Sequence, residues 1–303
     1  MELVKLKPAV KDYIWGGNYF QKFNKGLGLA RVSECWELSV RDIDSSTIAS
    51  GKDEGKKLVD LISKEDIGPV MDRFPYFPLL IKLIDAKENL SVQVHPSDDY
   101  ALKYENSFGK SEMWHIISAD EGSGLYVGLN KDYEKEDIEI ALKEGKILDY
   151  LNFFKVKPGD TFVINPGTIH AIGKGVRLIE IQQNSNLTYR LFDYNRIDAN
   201  GNPRELHIKK ALEVIDYHQY KPVNKNDECL ADNKYFSVKE VTFVDSLAIK
   251  ADENSFVSFT FLDGEGRVND IPFSQYDTFF LPYKKECIVK GKDKGRVVIS
   301  QVR

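Results

Sequence analysis

Short strand-like runs separated by tight turns dominate the second half of this chain. Between 153 and 196 the turns are Lys-Pro-Gly-Asp, Asn-Pro-Gly and Gly-Lys-Gly, and from 234 onward they include Asp-Gly-Glu-Gly and Lys-Gly-Lys-Asp-Lys-Gly. Runs of this length between Gly and Pro turns are typical of antiparallel sandwiches and barrels. We therefore predict a mainly β fold with a few short helices, at 56–73, after Ser97, at 134–151 and at 206–216.

A sequence echo predicts that the β unit occurs twice. Asp-Thr-Phe-Val-Ile-Asn-Pro at 160–166 is answered by Asp-Thr-Phe-Phe-Leu-Pro at 277–282, and only the first copy is followed by a histidine, His170. A chain of 303 residues can hold two modest domains. We predict two cupin-like β-barrels or jelly rolls: a metal-binding one over 1–233, with short helical segments, and a metal-free one over 234–303 packed against it.

Four potential metal ligands lie between positions 91 and 170. Gln93 and His95 are two apart in a strand-like run, so both side chains project from one face. Glu112 lies in a second run, and His170 follows a Pro-Gly turn. Two imidazoles, a carboxylate and an amide oxygen form a mixed nitrogen and oxygen site that suits a divalent metal. Each of these residues alone could equally be an ordinary barrel or loop residue.

The other histidines are weaker ligand candidates. Strand alternation puts Lys110 and Glu112 on one face of their run and His115 on the other, which favours Glu112 as the ligand. His207 and His218 lie in or near the helix-like stretch and are expected to be surface or packing residues.

Charge and composition restrict the class of partner. The formal net charge of −5, without a stripe of Lys and Arg, argues against a nucleic-acid partner, so an anionic small substrate requires a local cluster of cations. Lys82 interrupts the apolar run 79–84, where a lysine is rarely buried without an anionic partner or a functional reason. Three widely spaced cysteines indicate reduced thiols and a cytoplasmic location. No apolar run approaches the ~20 residues of a membrane span, and no signal-peptide pattern is expected.

Several longer segments carry a resemblance to a known family. They are Tyr-Ile-Trp-Gly-Gly at 13–17, Ser-Glu-Cys-Trp-Glu-Leu-Ser at 33–39, Pro-Leu-Leu-Ile-Lys at 78–82, Leu-Ser-Val-Gln-Val-His-Pro at 90–96, Gly-Lys-Ser-Glu-Met-Trp at 109–114, Asn-Pro-Gly-Thr-Ile-His-Ala-Ile at 165–172 and the block at 180–196. A Gln replaces the first histidine of the general cupin His-x-His pattern, and the glutamate follows late. In these features the chain resembles the short bacterial type I phosphomannose isomerases of the cupin superfamily.

The resemblance implies an isomerase that interconverts mannose 6-phosphate and fructose 6-phosphate through a cis-enediol. It implies one zinc ion per chain, with the ligands Gln93, His95, Glu112 and His170. The remaining site residues that it implies are Ser91 and Lys82 for binding the sugar phosphate, and Lys110, Glu180 and Arg190 for catalysis. The oligomeric state is left as a monomer or a small homo-oligomer.

The roles of the catalytic residues are only partly defined by the sequence. Glu180 and Lys110 are both candidates for the general base. Arg190 is permanently charged and is expected to stabilise negative charge on the reacting oxygens. It follows Glu180 by ten residues, so the even spacing puts both side chains on one face if no bulge intervenes. The alternative is that Arg190 pairs with Asp193 or Glu180 and has only a structural role.

Two departures from the family pattern and two other function classes complete these expectations. Asn186 stands where the family usually has an aspartate, and Gly109 stands where its longer members have a histidine, so neither side-chain role carries over.

A non-haem iron dioxygenase would also use two histidines and a carboxylate. A sugar-binding cupin without activity would keep the cavity and lose turnover.

Overall fold

A computed structural model describes residues 1–197, 201–222 and 229–303 of the chain. It is mainly β with few helices, as predicted. The strands before residue 198 are β1 Val4–Lys7, β2 Ala9–Lys11, β3 Glu34–Leu38, β4 Thr47–Ile48, β5 Leu79–Ala86, β6 Val92–Val94, β7 Glu112–Ala119, β8 Gly124–Leu129, β9 Leu151–Lys155, β10 Thr161–Ile164, β11 His170–Ile172, β12 Val176–Gln183 and β13 Tyr189–Phe192.

The later strands belong to the C-terminal part of the chain, and the helices are all short. These strands are β14 Cys229–Asp232, β15 Phe236–Phe243, β16 Ser246–Lys250, β17 Val257–Asp263, β18 Gly266–Val268, β19 Ile271–Phe273, β20 Thr278–Leu281, β21 Glu286–Gly291 and β22 Gly295–Val302. The α-helices are α1 Lys64–Ile67, α2 Asp98–Tyr104, α3 Lys135–Lys143 and α4 Ile208–Val214. The 3₁₀ helices are Tyr19–Phe23, Leu58–Asp60, Pro69–Arg73 and Ile147–Tyr150. No helix within the described ranges is long and apolar enough to traverse a lipid bilayer.

The strands form four antiparallel sheets. A six-stranded sheet has the order β10, β7, β12, β5, β3, β2, and a five-stranded sheet has the order β13, β6, β11, β8, β9. A seven-stranded sheet has the order β14, β15, β22, β17, β20, β1, β4, and a four-stranded sheet has the order β16, β21, β18, β19. Two N-terminal strands, β1 and β4, therefore belong to a sheet made mostly of C-terminal strands. The predicted domain boundary at 233/234 stays a prediction.

Alternating side chains of the six-stranded sheet supply two different cores, because successive residues of a strand point to opposite faces. On β5, Ile84 packs toward the five-stranded sheet, in a cluster with Trp114 and Leu125. Its neighbour Leu83 packs with Phe236 and other residues of the seven-stranded sheet. The side of the six-stranded sheet that faces the five-stranded sheet is the side that carries the candidate site.

The stretch 56–73 is helical only in three short pieces, not as one helix. Asp66 accepts from the Ser63 backbone in a capping box that begins α1, and Gly68, at φ 98°, ends it. Pro69 then begins a 3₁₀ helix. The helix predicted after Ser97 is α2, and the Ser97 hydroxyl accepts from the backbone N–H of Tyr100.

Candidate functional site

Two sheets bring the predicted metal ligands together. In the five-stranded sheet His170 on β11 lies directly opposite Gln93 on β6, and His95 follows β6 by one residue. Glu112 begins β7 in the facing six-stranded sheet. The ligand atoms of His95, Glu112 and His170 all lie within 4.8 Å of one another, and the three residues are buried.

Both imidazoles present the same nitrogen to the centre of this cluster. His95 Nδ1 lies 2.7 Å from the carbonyl of Leu187, and His170 Nδ1 lies 2.8 Å from that of Thr168. Because a carbonyl can only accept, each Nδ1 must donate, which makes Nε2 the nitrogen that carries the lone pair in the neutral ring. His95 Nε2 is 3.6 Å and His170 Nε2 is 3.3 Å from the carboxylate of Glu112.

The electrostatics keep this cluster in its metal-binding protonation state. Burial lowers the pKa of His170 to about 3 despite the opposing charge of Glu112. Burial, followed by the neighbouring Lys110 ammonium, lowers the pKa of His95. For Glu112 burial acts in the raising direction, but the charge of the Lys110 ammonium outweighs it, and the pKa of the Glu112 carboxyl lies well below its usual range. Neutral imidazoles and an ionised carboxylate are therefore present together at neutral pH.

A second observation supports Glu112 as a metal ligand. Both oxygens are buried and neither accepts a hydrogen bond of acceptable geometry, although the Lys110 ammonium lies 2.5 Å from Oε2. A buried carboxylate without hydrogen bonds is costly unless another positive group completes its surroundings. Two imidazole nitrogens and a carboxylate are the donors of a catalytic divalent-metal site, so these residues fit a metal ion.

Gln93 lies at the edge of the same cluster. Its amide Nε2 is 3.3 Å from His170 Nε2. Rotating the Gln93 amide group by 180° would exchange its two terminal atoms and put Oε1, the atom that can bind a metal, where Nε2 now lies.

His115 lies on the opposite face of β7 from Glu112. Its Nδ1 is 2.8 Å from the Thr161 hydroxyl, and its Nε2 is 3.2 Å from a carboxylate oxygen of Glu240 in the seven-stranded sheet. The side chains of β7 therefore alternate between the two faces as the sequence predicts. His115 contributes to the contact between the six-stranded and seven-stranded sheets.

A pair of substitutions tests this difference. We expect Glu112→Gln to reduce metal content by at least tenfold, because loss of the only carboxylate in the cluster removes the charge attraction. We expect His115→Gln, its matched control on the same buried strand, to keep metal content within twofold. Elemental analysis of the two purified proteins measures both. Metal loss in His115→Gln together with full metal in Glu112→Gln would contradict the assignment of faces.

The ligand cluster lies beside a cavity of about 660 Å³ whose lining includes Gln93 and Lys110. Glu180 also lines it, and both of its oxygens are engaged: Oε1 lies 2.9 Å from the Lys82 ammonium, and Oε2 accepts from Trp114 Nε1 at 2.8 Å. The Trp114 ring in turn packs edge-on against His170. Glu180 is thus connected to the ligand cluster through a rigid aromatic side chain.

Arg190 lines the same cavity but does not share a strand with Glu180. Glu180 lies on β12 of the six-stranded sheet and Arg190 on β13 of the five-stranded sheet, so the even-spacing argument was wrong. The two residues reach one cavity because their sheets face each other. Arg190 Nε donates to the Ser91 hydroxyl at 3.3 Å, and its Nη1 donates to the Glu205 carbonyl at 2.8 Å.

The carboxylates considered as structural partners of Arg190 are bound elsewhere. Asp193 accepts from Arg196 and Arg204, and Glu180 is engaged by Lys82. Among the described residues Arg190 forms no ion pair with a carboxylate. Its charge is therefore available to a ligand in the cavity.

The two departures from the family pattern have different structural settings. A Cβ on Gly109 would lie 2.5 Å from the Pro96 carbonyl oxygen, so any side chain there would require the backbone to move. Asn186 is exposed and lines the cavity. A histidine cannot be added at 109 without rebuilding this loop, whereas position 186 has room for either side chain.

Three basic residues of the cavity lining were missed by the sequence analysis. Arg204, His207 and Lys210 line the cavity on the side of Arg190, whereas His207 was expected to be a surface or packing residue. Their spacing of three was the only signal in the sequence, and it lies in a stretch whose helix begins only at Ile208.

Comparisons with known proteins agree on one family. A family profile described as phosphomannose isomerase type I, catalytic domain, matches residues 3–142. Mannose-6-phosphate isomerase ManA of Bacillus subtilis (strain 168) is 37% identical over 294 residues, 91% of this chain and 92% of the relative. Mannose-6-phosphate isomerase of Streptococcus mutans serotype c is 37% identical over 211 residues, 69% of this chain and 66% of the relative.

Solved structures extend the similarity to almost the whole fold. The crystal structure of the mannose 6-phosphate isomerase from Bacillus subtilis has a TM-score of 0.88 and 31% sequence identity, and covers 99% of each chain. A mutant of phosphomannose isomerase from Salmonella typhimurium has a TM-score of 0.78 and 16% identity over 100% of each chain. At that identity the second likeness concerns the fold alone.

Proposed function

Since this chain belongs to the type I phosphomannose isomerase family, we propose that it interconverts mannose 6-phosphate and fructose 6-phosphate. The reaction moves a proton between C1 and C2 through a cis-enediol, and it requires a group that transfers the proton and charges that stabilise the oxygens.

The observation that carries the proposal is the buried cluster of His95, Glu112 and His170 at the edge of a cationic cavity. Isomerisation needs this combination because the developing negative charge lies on two adjacent oxygens of a substrate that is itself anionic. Lys110 and Arg190 both line the cavity, and their positive charges support that role in a protein whose net charge is −5.

The metal of this proposal is one zinc ion per chain, held by Gln93, His95, Glu112 and His170. Mixed nitrogen and oxygen ligands suit zinc, and the carbonyl acceptors of the two Nδ1–H groups orient the imidazoles. When bound, zinc supplies a Lewis acid that polarises substrate oxygens.

Of the two candidates for proton transfer, the contacts favour Lys110. Its ammonium lies 3.2 Å from His95 Nε2 and 2.5 Å from Glu112, so it is next to the ligand cluster. Glu180 has both oxygens engaged and would have to give up a contact before accepting a proton. We assign the proton transfer to Lys110 acting as the neutral amine, which takes the proton from one carbon and, as the ammonium so formed, returns it to the other. We assign Glu180 the positioning of Lys82, which with Ser91 contacts the sugar.

A coupled assay tests the function. The purified protein is expected to convert mannose 6-phosphate to fructose 6-phosphate without consuming oxygen, to lose activity on complete chelation, and to recover it when zinc is added. Oxygen-dependent turnover would instead support the dioxygenase. Absence of turnover by the zinc-loaded protein would contradict the proposal, as would full activity after metal analysis confirms that the protein is metal-free.

A further inference from the structure

Charge is distributed unevenly along the cavity. At the end beside the ligand cluster, the ammonium groups of Lys82 and Lys110 face three carboxylates, those of Glu34, Glu180 and Glu112. Lys82 is held 2.9 Å from Glu180 and 3.7 Å from Glu34. Burial acts against its charge, but these carboxylates outweigh burial and the pKa of Lys82 lies above its usual range. This end has no surplus positive charge for a dianion before a metal binds.

The opposite end has more cations than carboxylates. Arg196 and Arg204 share the single carboxylate of Asp193, which accepts from both guanidinium groups. Arg190 adds a third guanidinium and lies between this side and the ligand cluster, because it is the cross-strand partner of Gln93. Burial together with the nearby Arg204 lowers its pKa, and it remains charged at neutral pH. Three guanidinium groups with two carboxylates, those of Asp193 and the exposed Glu205, leave a surplus of one positive charge.

Lys210 adds a positive charge on this side of the cavity, and His207, whose pKa burial lowers, adds a neutral imidazole. Arg190 and His207 are joined by the backbone, since the His207 N–H donates to the Arg190 carbonyl at 2.8 Å. Lys210 lies 2.7 Å from Glu105, which also accepts from the Tyr189 hydroxyl. The ion pair with Glu105 thus holds the Lys210 ammonium at the cavity wall, where the ammonium can also donate to a phosphate oxygen.

The shape of the proposed substrate selects between the two ends. In a hexose 6-phosphate the reacting carbons are C1 and C2, and four further carbons separate C2 from the phosphate oxygen. With C1 and C2 beside Lys110 and the ligand cluster, the phosphate must lie beyond Arg190, on the side of the residues that contact its backbone and guanidinium group. We infer that Arg204, His207 and Lys210 bind the phosphate group of the substrate, and that Lys82 contacts the sugar instead. This inference rests on the proposed function for the direction of the sugar.

Two adjacent lysines provide a matched test. Lys210 lines the cavity, whereas Lys209 is also exposed and does not line it. A buried charge-assisted hydrogen bond contributes roughly tenfold or more in affinity, and solvent screening reduces this for a group as exposed as Lys210. We expect Lys210→Gln and His207→Gln each to raise the dissociation constant of inorganic phosphate, measured by calorimetry on the zinc-loaded protein, by about fivefold to tenfold. Lys209→Gln should leave it within twofold.

Steady-state kinetics on the same proteins tests the phosphate-binding inference separately from the proposed isomerase function. In Lys210→Gln the KM for mannose 6-phosphate should rise about as much as the phosphate dissociation constant, with kcat within threefold. Unchanged phosphate affinity in both Lys210→Gln and His207→Gln would overturn the inference, as would a greater loss in Lys82→Met than in either. Absence of isomerisation by the unsubstituted protein would refute the proposed function, and the calorimetric comparison would still decide whether this end of the cavity binds phosphate.

Discussion

His170→Ala is expected to remove most of the bound metal and to lower isomerisation by roughly a thousandfold or more, since a catalytic metal contributes several kcal/mol to the transition state. His170 and His95 supply the two nitrogens of the cluster, so either change leaves one nitrogen and one carboxylate. His170 is the cleaner choice, because its Nδ1 contacts a carbonyl only two residues away. His95 Nδ1 instead contacts the Leu187 carbonyl in a distant loop.

The protein should stay folded, because its sheets are held by large apolar cores outside the cluster. His218→Ala is the matched control: this histidine is exposed, contacts Asp216 and lies outside the cavity. Metal content by elemental analysis and turnover in the coupled assay should be unchanged in the control. Full zinc occupancy in His170→Ala would show that the metal, if present, is bound elsewhere.

Arg190→Ala is the second large effect that we expect, a fall in kcat of roughly a hundredfold to a thousandfold with a smaller rise in KM. Arg190 has no carboxylate partner among the described residues, so its charge can act on the reacting oxygens. The negative charge on those oxygens grows between the bound substrate and the enediolate, and an interaction that strengthens there acts on kcat. Arg190→Lys should recover little, because a point charge does not reproduce the planar fork.

The alternative is that Arg190 only holds the chain together through the Ser91 hydroxyl and the Glu205 carbonyl. In that case Arg190→Ala would lower the melting temperature, and the protein that remains folded would keep near-normal turnover. Arg177 offers a comparison, since it pairs with Asp85 and Asp120 and does not line the cavity. Arg177→Ala should lower the melting temperature without lowering kcat.

The sequence predicted the positions within one strand well and the relations between strands poorly. Glu112 and His115 could be assigned to opposite faces because a strand alternates with a fixed period of two. Arg190 and Glu180 could not be related in this way, because the chain leaves the six-stranded sheet after Gln183 and enters the other sheet at Tyr189. Their convergence on one cavity depends on the packing of two sheets, and no local pattern encodes that packing.

The helical structure of 56–73 and the position of His207 were predicted poorly for a similar reason, because both depend on tertiary contacts. The apolar spacing in 56–73 suggested helix, but Gly68 and Pro69 divide the stretch into turns that tertiary contacts stabilise. His207 was expected to be a packing or surface residue because its neighbours have helical spacing. The backbone contact with Arg190 places it at the cavity, and that contact joins residues 17 positions apart.

The pairing of β1 with β20 has a consequence for how the protein is made. Val4 lies opposite Phe280, 276 positions later, and Leu6 lies opposite Thr278. At about 5–20 residues per second, the ribosome delivers this partner roughly 14 to 55 s after the first strand. Until then β1 lacks its central neighbour and exposes an unpaired edge to other nascent chains. The seven-stranded sheet therefore cannot close until the strands between residues 229 and 302 have been synthesised.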